Sequence, residues 1–106
     1  MNKNQQQTMN DYVLKNYHRM MKEFMYEKNY GFTKLRTCQA CVYETENFFV
    51  LKSYETIVAC IDKNTAQKFD FLRYVYEYTS TSAQHIAKFF RDYGDLRVSV
   101  YTYREV

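Results

Sequence analysis

Residues 53–94 read SYETIVACIDKNTAQKFDFLRYVYEYTSTSAQHIAKFFRDYG, and their reading decides the fold. Ile57-Val58-Ala59-Cys60-Ile61 is continuously apolar, the pattern of a central strand covered on both faces. Asp62-Lys63-Asn64-Thr65 is the clearest turn in the chain. Phe69 and Phe71 then alternate with Asp70, which predicts a strand from Lys68 to about Tyr78. Past Leu72 the alternation resumes one step out of phase, in Tyr74, Tyr76 and Tyr78. Such a slip predicts either a β-bulge or a strand that ends near Leu72. Thr79–Ser82 is a run of helix-capping residues, and Thr81 with Gln84 spells a capping box. Ala83, Ile86, Ala87, Phe90 and Tyr93 give one face of a helix, with Phe89 beside them, Lys88 and Asp92 paired on the outer side and Gly94 at the end.

Upstream, Ser53-Tyr54-Glu55 is the whole connection between this central strand and a preceding strand, Phe48–Tyr54, so it must turn tightly. Glu46-Asn47 is a turn signal, and period-two alternation over Lys34–Thr45 predicts another strand. Met9, Val13, Tyr17, Met20 and Phe24 are spaced as one face of a helix running from Thr8 to about Lys28. Leu14, Met21 and Met25 widen the stripe, while Lys15, Asn16, Arg19, Lys22 and Glu23 lie off it. Thr8 and Asp11 suggest its cap, and Gly31 its end. Residues 1–7 are polar and are expected to be disordered. Downstream, Leu96, Val98 and Val100 predict a closing strand. The expected class is α+β: an antiparallel sheet of four to five strands, with an N-terminal helix and a second helix before the last strand.

The chain has 106 residues, which is one domain of ordinary size. Net charge is +3, mild for a nucleic-acid binder. No N-terminal run is apolar enough for a signal peptide or a membrane span. Three cysteines make no closed disulfide framework, so a cytoplasmic chain with reduced thiols is expected. Aromatic content is high, with 12 Tyr and 8 Phe. So many rings exceed what a small core holds, so some tyrosines must face solvent or a partner.

Chemistry-bearing signals are few. Cys38 and Cys41 have C-x-x-C spacing and, with Cys60 and His85, could make a zinc site. Gln39-Ala40 supplies no turn, however, and positions i and i+3 of a strand face opposite ways. Cys60 in an apolar run fits a small buried hydrophobe. No metal or other cofactor is therefore expected. His85 in the first turn of its helix could be a general base, an interface hydrogen-bonder or a structural histidine. No nucleophile motif, metal loop or phosphate loop is present, so the chain is not expected to be an enzyme. Tyr74, Tyr76 and Tyr78 would share a face if extended. With Arg73, His85 and Lys88 they form the candidate partner-binding set. Packing as a cross-strand ladder, or stacking on single-stranded nucleic acid, would use the same residues.

Val42–Asn47, Leu51–Ala59 with Ile61-Asp62, and Tyr78–Phe89 together resemble a family of short proteins carried by phages and mobile elements of Gram-positive and gut bacteria. The hallmark is similar to S-Y-x-T-x-V-A, an acidic turn, then Y-x-x-T-[ST]-x-x-H-I-x-x-F. The resemblance covers residues 42–94 and implies a phage accessory protein in the host cytoplasm. Small tyrosine-rich proteins of that kind suggest an inhibitor of a host defence nuclease, an anti-CRISPR protein acting on a CRISPR effector complex among them. The alternative is a small nucleic-acid-binding or regulatory protein. A homodimer through the methionine-striped first helix is a further expectation.

Overall fold

The computed structural model describes residues 2–26, 31–35 and 39–106. The expected helix end near Lys28, and Cys38, lie outside them. Three helices and six strands follow one another: α1 Lys3–Tyr26, β1 Phe32–Lys34, β2 Ala40–Glu44, β3 Phe48–Ser53, β4 Thr56–Asp62, β5 Lys68–Asp70, α2 Leu72–Val75, α3 Ser80–Tyr93 and β6 Val100–Thr102. The strands form one sheet in sequence order. Neighbours from β1 to β5 are antiparallel, and β5 pairs with β6 in parallel, Phe69 opposite Tyr101.

The α+β class holds, and the sheet is corrected on two counts: it has six strands, and its last pair is parallel. The second correction follows from connection length. A helix lies between β5 and β6, and a crossover of that length returns the chain to the end where it started. The expected strand over residues 34–45 is two strands, with Lys34 opposite Cys41. The expected strand to Tyr78 ends at Asp70, whose Oδ1 accepts the Leu72 N–H at 3.0 Å and starts the single turn of α2. The phase slip at Leu72 thus marks a strand end. The register shift of the sheet lies in β4: Leu51 faces Ala59 and Lys52 faces Ile57, so Val58 is the extra residue.

β4 is covered on both faces, as its composition requires. On one face α1 sets Val13 and Met20 against Phe48, Val50, Cys60, Phe69 and Phe71. On the other, α3 sets Ile86, Phe89 and Phe90 against Val42, Leu51, Ala59 and Ile61. Val58 and Ala59 both belong to this second cluster, which is what a bulge does to alternation.

Three polar residues of α1 outside the expected apolar stripe are buried as well: Asn10, Asn16 and Glu23. Asn10 accepts the Arg104 N–H at 3.1 Å and donates to its carbonyl at 2.5 Å, tying the chain just past β6 to the helix. Glu23 accepts the Asn47 N–H at 2.7 Å and closes the β2–β3 turn. Asn16 accepts from Arg19, which also bonds the buried Asp62 carboxylate. The first helix begins earlier than Thr8. Asn2 and Gln5 bond each other's backbone N–H groups, a reciprocal cap that draws residues 3–7 into α1. The cap of α3 is Thr79, not Thr81: its Oγ1 accepts the Ser82 N–H at 3.2 Å. The buried face of α3 keeps Ile86, Phe89 and Phe90 of the expected stripe and adds Ser82 and His85, while Ala87 is exposed. The closing strand starts at Val100 and leaves Leu96 exposed.

Gly94 ends α3 by close approach, not by a left-handed backbone. Its φ is −102°, and a Cβ there would sit 2.7 Å from the Phe90 carbonyl oxygen. Gly94→Ala is expected to cost about 1–3 kcal/mol in urea unfolding. Asp70→Asn is expected to act in the opposite sense. Burial pushes the Asp70 carboxyl above its ordinary range, outweighing Arg73 and Arg104. The native state then binds protons more readily than the unfolded chain, so the charged carboxylate subtracts stability at neutral pH. The asparagine variant should be more stable at pH 7. That advantage should shrink as pH falls through the raised native value and vanish below the ordinary carboxylate range.

Candidate functional site at the hairpin end

The β3–β4 hairpin carries the chemistry. Ser53 faces Thr56 across it, and Tyr54-Glu55 is its tip. Tyr54 stands at φ +55°, its N–H donating to the Gln39 carbonyl at 2.6 Å. A non-glycine residue there costs roughly 1–2 kcal/mol, which surrounding contacts must offset. The hairpin places an exposed tyrosine where glycine or asparagine would be easier.

Behind the tip lies a buried polar chain. Ser53 Oγ is 2.8 Å from His85 Nδ1 and 3.1 Å from Ser82 Oγ. All three residues are buried. The two hydroxyl protons can point either way, so the chain is satisfied whether Nδ1 accepts or donates. It ties the end of β3 to the first two turns of α3. It thereby joins residues 29 and 32 positions apart in sequence.

A cleft of about 520 Å³ opens over this chain. Buried Ser53, Val58 and Ser82 form its base, exposed Tyr54 and Tyr76 its rim, and Thr79 and Thr81 its side at the start of α3. On the opposite face of the sheet a second cleft, about 500 Å³, lies between α1 and the hairpin. Tyr17, Met21, Phe24 and Met25 line it from the helix, and Lys52 and Ile57 from the strands. Glu55 and Thr56 line both clefts, so the hairpin tip is a ridge between two aromatic-walled hollows.

The structure disperses the expected binding set. Tyr74 lies on α2 and packs edge-on against Tyr17 and beside Tyr103. Its phenol and burial together raise the pKa of Tyr17, burial being the larger cause. Tyr76 lines the cleft at the hairpin. Tyr78 lies under the Arg73 guanidinium, 4.8 Å from ring centroid to Cζ. His85 is 5% exposed and supports the hairpin from beneath. Lys88 pairs with Asp92 at 2.9 Å along α3, as the spacing predicts. The three tyrosines therefore point three ways, because α2 replaces the extended strand that would align them. Sequence reasoning overlooked Tyr54, Ser53 and Ser82 as one constellation. The signal was available: Ser82, His85, Ile86, Phe89 and Tyr93 also have helical spacing.

Of the four candidate zinc ligands, the three described are not brought together. Cys60 lies in the cluster under α1, and His85 on the α3 face. Cys41 is half-buried on β2, and Cys38 lies outside the described residues. Burial raises the Cys60 thiol well above its ordinary range, so it stays protonated. Among the described residues no three His, Cys, Asp or Glu side chains are grouped to hold a metal ion. No helix among them is long and apolar enough to cross a membrane.

Ser53→Ala and His85→Ala are each expected to destabilise the fold by about 1–3 kcal/mol, because each strands a buried polar partner. The double variant should lose less than the two single losses combined, by about 0.5–3 kcal/mol, in a cycle read by urea unfolding. Additive losses would show that the chain Ser82–Ser53–His85 is not one unit. Comparison with protein-family models, with curated proteins and with solved structures finds no match to this chain.

Proposed function

We propose that this chain is a small, non-catalytic protein that acts by binding another protein through its hairpin end. The observation that carries the reading is Tyr54. It is 53% exposed on a strained backbone, on a ridge between two clefts. Tyr76, Met25 and Tyr26 are exposed too. Rigid aromatic side chains with a polar tip, next to adaptable methionines, are the side chains that anchor protein interfaces. Backbone strain retained at an exposed tip is a cost that binding can justify and folding alone does not.

In this proposal Tyr54 and Tyr76 are the anchors, and the cleft between them receives a side chain of the partner. Tyr74, packed on Tyr17 of the second cleft, flanks the contact from α2, and His85 positions the hairpin from below. The resemblance read in residues 42–94 to a family of phage and mobile-element proteins is the ground on which we extend the proposal. The partner is then a host defence nuclease, a CRISPR effector complex first among them, which the chain inhibits by occupying its surface. Two of the three stretches carrying that resemblance contribute to the cleft: Ser53, Tyr54, Thr56 and Val58 from one, Thr79, Thr81 and Ser82 from the other.

The test is binding of the purified chain to purified defence nucleases, paired with an interference assay in cells. Stoichiometric co-elution and loss of interference are expected. Tyr54→Ala with Tyr76→Ala should weaken binding by about 2 kcal/mol or more, roughly thirtyfold, with the fold intact. Tyr54→Gly should separate the two roles of the residue, adding about 1 kcal/mol of stability while weakening capture. If no defence complex binds, the inhibitor reading falls. If the double variant binds as tightly as the parent chain, the hairpin end is not the contact.

A further inference from the structure

On the far side of α2 from the hairpin, two adjoining clefts share three residues. The inner one, about 270 Å³, is lined by Asp70, Leu72, Arg73, Tyr78, Thr102 and Arg104, with Ala83 of α3. The outer one, about 450 Å³, adds Glu77 and Glu105 to Arg73, Tyr78 and Arg104. Two arginines thus line both clefts, one from α2 just after β5 and one from just past β6, and β5 pairs with β6.

Arg19, Arg91 and Arg97 each have a carboxylate within ion-pairing distance. Among the described residues Arg73 and Arg104 have none. Both act electrostatically on Asp70, and one oxygen of that carboxylate is taken by the Leu72 N–H. The inner cleft is thus lined by two guanidiniums and one partly satisfied carboxylate. Glu77 and Glu105 are exposed and belong to the outer cleft alone. The Arg73 guanidinium lies over the Tyr78 ring, 4.8 Å from its centroid.

We propose that Arg73 and Arg104 form a binding site for a terminal phosphate group. A single carboxylate is satisfied by one guanidinium fork, whereas two forks lining one cleft suit a tetrahedral dianion with three free oxygens. Tyr78 and Thr102 bring hydroxyl donors to the same cleft, and Leu72 and Ala83 give it an apolar wall. This site is separate from the hairpin end and does not depend on the protein-binding reading.

The experiment is calorimetric titration of the whole chain with inorganic phosphate, adenosine 5′-monophosphate and O-phosphoserine at low salt. Saturable binding at one site is expected. Arg73→Gln with Arg104→Gln should weaken it about tenfold or more, since charge-assisted hydrogen bonds are lost. Arg73→Lys with Arg104→Lys keeps the charge, removes the forks and should lose less. Asp70→Asn removes the opposing charge, keeps an acceptor for the Leu72 N–H and should tighten binding severalfold. Arg91→Gln, remote on α3, should leave binding unchanged. A stronger response to the nucleotide assigns the phosphate to a nucleic-acid end, and a stronger response to phosphoserine assigns it to a phosphorylated side chain; either sustains the site. No saturable binding overturns the proposal, as does glutamine-variant binding within twofold of the parent. If the glutamine variant fails to fold, weaker binding by Asp70→Asn overturns it equally.

Discussion

The constraint on which the rest depends is the burial of β4 on both faces. Val58, Ala59, Cys60 and Ile61 are at most 2% exposed. A strand without a wet face needs cover above and below, so one helix cannot suffice. α1 supplies one cover and α3 the other. Since α3 follows β5, the chain must cross the sheet before it can add a last strand. The parallel β5–β6 pair is the consequence. That pairing in turn brings the segment carrying Arg104 to the clefts that Arg73 lines.

Polar groups then fix what apolar burial leaves loose. Buried apolar surface is non-directional, and it would tolerate a helix displaced along the sheet. Asn10 on Arg104, Glu23 on Asn47 and Arg19 on Asp62 set the position of α1 against three separate parts of the sheet. On the other face the chain Ser82–Ser53–His85 sets the start of α3 against the end of β3. The cleft at the hairpin is the space this register leaves between β4, the hairpin tip and the segment entering α3.

Much of the fold was legible because its signals are periodic. The stripe Met9, Val13, Tyr17, Met20, Phe24 does face the sheet, and β3, β4 and the turn after Asp62 stand where the pattern places them. What escaped reading is non-local or polar. Asn10 and Glu23 look like surface residues until their partners, far away in sequence, are known. Alternation through Tyr74, Tyr76 and Tyr78 imitates a strand, but Asp70 starts a helical turn by taking the Leu72 N–H. The bulge at Val58 is silent because both neighbours are apolar, so a slipped phase leaves no mark. At the site, Tyr76 and His85 were singled out for aromatic and titratable character. Their different roles, one on the rim and one beneath, are set by tertiary packing alone. Tyr54 was read as a turn residue, and its positive φ has no signature in a tyrosine.

Placing helices on opposite faces of β4 can be tested in solution without any partner. Nuclear Overhauser contacts between side chains report which residues lie within a few ångströms. The account predicts contacts of Val13 and Met20 with Val50, and separate contacts of Ile86 and Phe89 with Leu51 and Ala59. Contacts from both helices to the same side chains of β3, or none from α3 to Leu51, would contradict it.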